Sequence, residues 1–401
     1  MRKFRFFVFS LVFAVALSCL PCRINADTNL DNKLYSKSCA LMDGDSGRVL
    51  YGKKETIPMA NASTTKIMTC ILALELGDLE SVVTASCNAA IQPKVHLGMQ
   101  EGEEFYLKDL LYAMMLESYN DTAVAIAEHI AGTTEAFAGL MNEKAASLGC
   151  EDTHFITPNG LDATDERGMH HTTAEDLCRI MKYCAWDSPK AETFLAITEC
   201  RTYDFSDLDG RSFRCTNKNS FLHMMDGAIT GKTGFTATAG YCYVAAYEKD
   251  GKKFCISLLA CGWPNNKTYK WSDAKNLFTC GIENYEKKKI KISPNLDRIL
   301  VKEGMKEKSL SFWNRDFYIE PQVDFESYSF EYLLSEEDQV TVEVKQETIL
   351  YAPVEKGQSL GTVQVKLNGE TILEIPITNT EEIPEWSFFN LGKCIFEAYQ
   401  L

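Results

Sequence analysis

Positive charge is scarce in this 401-residue chain: 41 Lys and Arg stand against 56 Asp and Glu, a formal net charge of −15. Such a chain repels phosphate backbones, so nucleic acid is not expected as a partner. Histidine is scarce too, at six residues, and no His-Glu-x-x-His occurs. Beyond residue 26 there is no Cys-x-x-Cys. The helical zinc-hydrolase signature and the zinc ribbon are therefore unsupported. His170, His171 and Glu175 remain as candidate ligands, but adjacent histidines before a helix start are an ordinary loop pattern. No metal or cofactor is expected. The chain has no low-complexity tract and no long internal repeat. Hydrophobic residues make up 45% and charged residues 24%. That balance is globular, and the length suffices for two domains.

A run long enough to span a membrane is also missing. The apolar stretch Phe6 to Leu20 is shorter than the roughly 20 residues a span needs. Arg2, Lys3 and Arg5 precede it, and Ala26 offers a small residue before Asp27. This is the layout of a secretory signal over residues 1–26. A retained anchor is the alternative. A lipoprotein at Cys19 or Cys22 fits less well, because the preceding small residues match poorly. Removing residues 1–26 deletes four basic residues and no acidic one, taking the charge from −15 to −19. Thirteen of the 15 cysteines follow the leader, an odd number without framework spacing. Cys39, Cys70, Cys178, Cys242, Cys255 and Cys261 sit in apolar stretches and read as buried free thiols. Unpaired thiols suit an organism with a reducing exterior.

Residues 27–285 read as mixed α/β. Cys39–Met42 and Val49–Tyr51 flank the turn-rich Asp43-Gly44-Asp45-Ser46-Gly47, which predicts a hairpin. Helices are predicted over 63–76, 107–116, 120–131 and 134–148. Thr172-Thr173-Ala174-Glu175 is a capping-box signal for another, reaching about Ala185. Strands return at Tyr241–Tyr247 and Phe254–Cys261, and a helix follows over Lys270–Tyr285. Strands at both ends with helices between predict an antiparallel sheet packed by helices. Glu286-Lys287-Lys288-Lys289-Ile290-Lys291 reads as a solvated, charged junction. Residues 290–380 then turn to period two, with Val340, Val342 and Val344, then Val363, Val365 and Leu367. The Asn368-Gly369 turn leads into Leu373, Ile375 and Ile377, a hairpin within a small all-β domain. The tail, 385–401, is aromatic. It reads either as a membrane-interface segment or as a helix docked on the β domain.

Three short elements carry chemistry. In Ser63-Thr64-Thr65-Lys66, a three-residue spacing at a helix start puts both side chains on one face. A serine hydroxyl needs a base, and a lysine serves only when neutral, through burial or a neighbouring cation. A helix cap followed by a surface lysine is the plain alternative. Ser118-Tyr119-Asn120 is either an N-cap or a loop facing the nucleophile. In the second case Ser118 relays a proton to the leaving amine and Asn120 holds Lys66 and the substrate amide. Lys232-Thr233-Gly234 is either a turn or an edge strand for an extended peptide. There Lys232 supplies charge, Thr233 binds a terminal carboxylate, and Gly234 lets the ligand approach closely.

Each element is weak alone; their order is specific. Together with Met59–Ala62, Ile67-Met68-Thr69, Pro158-Asn159-Gly160-Leu161, Phe235-Thr236 and Ala239-Gly240-Tyr241, they closely resemble the D-alanyl-D-alanine carboxypeptidases among the low-molecular-mass penicillin-binding proteins. The resemblance covers roughly residues 30–285, and a β domain after it is typical of that family. It implies a β-lactamase/transpeptidase-like α/β fold related to the class A β-lactamases. It further implies an acyl-enzyme on Ser63, with the oxyanion between the N–H groups of Ser63 and Phe235. The implied substrates are wall peptides ending in D-Ala-D-Ala, with β-lactams as covalent inhibitors; the export signal places the chain at the cell wall or the outer face of the cytoplasmic membrane. Tyr119 departs from the pattern, since a small residue is usual between Ser118 and Asn120. A serine β-lactamase would need a deacylating glutamate, and Glu166 reads as an exposed turn. A non-catalytic penicillin sensor would keep Ser63 and lose peptide hydrolysis.

Overall fold

The structure, a computed structural model, describes residues 28–305, 315–323 and 330–392. The segment 1–26 read as a secretory signal, and the tail beyond residue 392, lie outside the described residues. The central sheet comprises β1 (Ser38–Asp43), β2 (Val49–Lys53), β3 (Ala228–Thr236), β4 (Gly240–Lys249) and β5 (Lys252–Leu259). Its order is β2-β1-β5-β4-β3, antiparallel throughout. The sheet is thus assembled from both ends of the region, as the order of elements predicts. β1 and β5 close it, with Ser38 opposite Leu259.

Among the described residues, seven helices of two turns or more pack around it: α1 (Lys66–Leu76), α2 (Leu107–Glu117), α3 (Asn120–Ala131), α4 (Thr134–Ser147), α5 (Ala174–Lys182), α6 (Ala191–Glu199) and α7 (Tyr269–Asn284). Ala40, Met42, Cys242, Val244 and Cys255 face the large core shared with α1 to α5. Cys39, Leu41, Tyr243, Ala245 and Ile256 face the other core, under α7. With both faces covered, the strands read as unbroken apolar runs rather than alternations. Residues 66–74 of α1 are all buried, so it is the lobe's inner helix. The twelve described cysteines are all free, and the six expected in the core are buried. Burial pushes the Cys39 and Cys242 thiols up to about 12, so they stay protonated and pack as small hydrophobes.

Three local expectations need correction. The helix predicted from residue 63 opens as a 3-10 turn, Ala62–Thr65, and becomes α-helical at Lys66. The cap of α5 is Thr173, whose Oγ1 accepts the Asp176 N–H at 3.0 Å. Thr172 is drawn off instead by Thr153 Oγ1 at 2.7 Å. That helix ends at Lys182 and passes into a π turn, Tyr183–Asp187. Elements not anticipated include α6, a hairpin of Thr202–Ser206 with Ser212–Thr216, and the pairing of Val82–Thr84 with Glu104–Tyr106.

The charged junction is itself a strand. β6 (Glu286–Ile290) pairs antiparallel with β9 (Phe330–Leu334), its lysines exposed. Between them run β7 (Ile299–Lys302) and β8 (Phe317–Ile319). β10 (Val340–Gln346), β11 (Ile349–Tyr351), β12 (Ser359–Leu367) and β13 (Glu370–Thr378) follow. Val363, Val365, Ile375 and Ile377 form the core of this all-β part. The alternation in β10 is real but its face is shallow: Val342 is 40% exposed. Trp386 donates its backbone N–H to Glu303 O and stacks under Arg315, so the tail starts docked. Phe388 and Phe389 then point outward, 78% and 82% exposed. Among the described residues, no helix is long and apolar enough to cross a membrane.

Candidate active site

Ser63 lies in the 3-10 turn that feeds α1, and Lys66 is the first α-helical residue. The turn is tied internally. Asn61 O accepts the Thr64 hydroxyl at 2.7 Å, and Asn61 Nδ2 donates to Thr65 Oγ1 at 2.9 Å. Ala62 takes a left-handed φ of +48°. Gly160 is what accommodates it: a Cβ there would lie 2.0 Å from Ala62 O. The outcome is a short contact of Lys66 Nζ with Ser63 Oγ, 2.9 Å. Lys66 Nζ also donates to Asn120 Oδ1 at 3.0 Å and to the Asn159 carbonyl at 2.6 Å.

Lys66 is fully buried. Desolvation holds its ammonium well below the usual lysine range, and the Lys232 charge adds to the effect, while Asp121 opposes it. A neutral amine beside a serine hydroxyl is a competent base. Lys232, on β3, is buried as well, and desolvation lowers it to about 7. Its Nζ reaches Ser118 Oγ at 2.9 Å and Thr233 O at 2.8 Å. Ser118 ends α2 in a left-handed conformation, φ 67°. Thus the three motifs are joined by Lys66–Asn120 and Ser118–Lys232, while Ser63–Lys66 closes the first of them. Tyr119, the unusual middle residue, packs half-buried against the helical core. Asn120 opens α3 without acting as a cap; Tyr119 occupies that position.

β3 is an edge strand, as the Lys232-Thr233-Gly234 reading requires. Tyr241 spends its N–H on Gly262 O (2.9 Å) and its carbonyl on the Cys261 N–H (2.7 Å), away from β3. Its partner Phe235 is therefore in a pair without ladder bonds. The backbone N–H and C=O of Phe235, and of Thr233 two residues earlier, face the free edge. The Phe235 ring, 42% exposed, lies on Tyr241 at 4.6 Å. Gly234 also has a packing role that its sequence reading did not include. A Cβ there would lie 2.8 Å from the Ser63 backbone nitrogen, so its absence lets β3 close on the nucleophile's own turn.

Sequence reasoning missed the Asn159 carbonyl and Gln92, and read His170 only as a candidate metal ligand. Asn159 Nδ2 donates to Gln92 Oε1 at 3.0 Å, and its Oδ1 accepts the Leu161 N–H. The Pro158-Asn159-Gly160 match was visible, but a backbone carbonyl's role does not show in side-chain identity. Buried His170 accepts the Ile156 N–H on Nδ1 (3.0 Å) and meets Thr65 Oγ1 through Nε2 (2.9 Å). It pins this loop to the start of α1. His171 and Glu175 do not join it: His171 bonds Met169 O, and Glu175 pairs with Arg179. Glu166 sits in the exposed turn between Thr164–Asp165 and Gly168–Met169.

A family model described as D-alanyl-D-alanine carboxypeptidase matches residues 25–259. The chain belongs to this family. A second model, the C-terminal domain of penicillin-binding protein 5, matches residues 327–385. Among carboxypeptidases of the family, DacF of Bacillus subtilis is 29% identical over 364 residues, covering 89% of this chain and 88% of its own length. Penicillin-binding protein 5 from Haemophilus influenzae, at 23% identity and a TM-score of 0.64, shares the fold over 88% of this chain and 98% of its own. Penicillin-binding protein D2 from Listeria monocytogenes, solved in an ampicillin-bound form, is 26% identical with a TM-score of 0.53. It covers 62% of this chain and 98% of its own. The enzyme is thus a peptidase of the D-Ala-D-Ala carboxypeptidase class.

Proposed function

We propose that the chain is an exported serine carboxypeptidase that removes the terminal D-alanine from peptidoglycan stem peptides through an acyl-enzyme on Ser63. The observation that carries this is the buried Lys66 amine held 2.9 Å from Ser63 Oγ. Neutral Lys66 takes the hydroxyl proton, and Ser63 Oγ bonds to the penultimate carbonyl carbon. The N–H groups of Ser63 and Phe235 flank the developing oxyanion. One such donor is worth about two to three orders of magnitude in rate. The C–N bond breaks, a proton reaches the amine through Ser118, and free D-Ala departs. Water then cleaves the ester, with Lys66 again as base. The substrate strand lies along the free edge of β3, its terminal carboxylate near Lys232 and Thr233.

A basic n-region followed by an apolar run supports export, so the site faces the wall. The outward Phe388 and Phe389 support peripheral contact of the 385–401 tail with the membrane surface.

Penicillin treatment tests the reading. Intact mass should rise by one penicilloyl group, mapped to the Ser63 peptide, and the adduct should persist. Rapid turnover would make the protein a β-lactamase. A stable adduct with no D-Ala release from peptides would make it a sensor.

A further inference from the structure

Asn120 Oδ1 and the Asn159 carbonyl, the two acceptors that aim Lys66 at Ser63, are both held by one strip of chain, residues 92–99. Asn120 gives its backbone N–H to Val95 O at 2.8 Å and its Nδ2 to Pro93 O at 3.1 Å. Asn159 gives its Nδ2 to Gln92 Oε1 at 3.0 Å. The strip's other end is gathered on a single carboxylate. Asp121 Oδ1 accepts the Leu97 N–H at 2.9 Å, and Oδ2 accepts those of Gly98 and Met99 at 2.8 and 3.2 Å. Oδ1 also takes the Thr122 N–H at 2.9 Å. The side chain is buried at 1% exposure, beside the N-terminus of α3.

We propose that Asp121 is a positioning residue for the acylation step, pinning the 92–99 strip so that Asn120 and Asn159 keep Lys66 on Ser63, and supplying a negative charge that acts on the Lys66 amine. The proposal rests on the function given above. The charged and titratable groups acting on Lys66 are Lys232 from β3, His170 from the loop before α5, and Asp121 from α3. Lys232 opposes the protonated amine whenever it carries its own charge, and burial keeps His170 neutral, so of these three groups Asp121 alone favours protonated Lys66. The pair of effects is coupled: the carboxylate that fixes the geometry also moderates how far burial lowers the base.

The test is the acylation rate of the full chain by a fluorescent penicillin as a function of pH. Asp121→Asn keeps the shape, removes the charge and replaces one acceptor oxygen with an amide. It should acylate at least tenfold more slowly, with the acid limb moved down by about half a pH unit or more. Asp176→Asn serves as the comparison. That carboxylate is also buried and holds the Asp152 N–H, but it lies outside the Lys66 network. Its acid limb should stay at the wild-type position. A folded Asp121→Asn with wild-type rate overturns the proposal, as does a slower variant whose acid limb has not moved, the mark of a merely structural carboxylate. If Asp121→Asn does not fold, Gln92→Ala removes only the hold on Asn159. It should melt as wild type yet acylate several-fold more slowly, and a wild-type rate there refutes the strip's role. A wild type that penicillin fails to acylate refutes the proposed function and this inference with it.

Discussion

Gly160 shows how much of the site depends on single backbone positions. Its φ of +78° and the 2.0 Å approach of a would-be Cβ to Ala62 O leave no room for any side chain. Gly160→Ala should cost about 2–4 kcal/mol, read from urea unfolding, and should slow acylation further by displacing the Ser63 turn. Lys232 makes a second prediction. Lowered to about 7, it loses its charge as pH rises through that value, and carboxylate binding weakens. Lys66 must be neutral, so protonation removes the base at low pH. The profile of kcat/KM should therefore be bell-shaped. In Lys232→Arg the guanidinium stays charged, so the alkaline limb should move up by more than one pH unit. An unmoved alkaline limb would assign it to another group. At this scale the side-chain motifs were legible, because Ser63, Lys66, Ser118, Asn120 and Lys232 act through groups their names declare. Asn159 acts through its carbonyl, and Gly234 through a contact with its own chain; neither is written in a residue type.

Among the elements, the loop pinned by His170 is the one most exposed to pH. Burial lowers His170 to about 3, from the ordinary 6.5 it keeps in the unfolded chain. Between those values the unfolded chain holds more protons, so stability is complete above 6.5 and drains away as pH falls towards 3. At about pH 4.5 the loss should be about 3 kcal/mol. Urea midpoints at neutral and acid pH would read it, and His170→Asn should flatten the difference. Equal acid sensitivity in the variant would exclude His170 as the cause. Long buried helices and the both-faces-covered sheet were legible from apolar texture. The start of α5 slipped by one residue because Thr153 competes for Thr172. The lysine run concealed β6, since its side chains report solvent while its backbone bonds β9. The Thr202–Ser206 hairpin did carry a signal, in the Asp209-Gly210 turn between alternating runs.

Across the whole molecule, the loop after β1 fastens the catalytic part to the β part. Arg48 grips Asp338 with both nitrogens, at 2.6 and 3.0 Å, and Asp338 is 1% exposed at the side chain. Lys287 reaches Asp45 at 2.6 Å close by. Arg48→Ala strands a buried carboxylate and should destabilise by about 2–4 kcal/mol. It should also open residues 286–334 to limited proteolysis while penicillin acylation continues. Unchanged cleavage would make the pair incidental. Neither partner was foreseeable, because 290 residues separate them and only the fold brings them together.

In the proposed reaction Ser63 is the group that takes the acyl chain. Purified protein with a peptide ending in D-Ala-D-Ala should release free D-Ala, penicillin should stop it, and Ser63→Ala should abolish it in a chain that still folds. Release of D-Ala by Ser63→Ala at the wild-type rate would contradict the account.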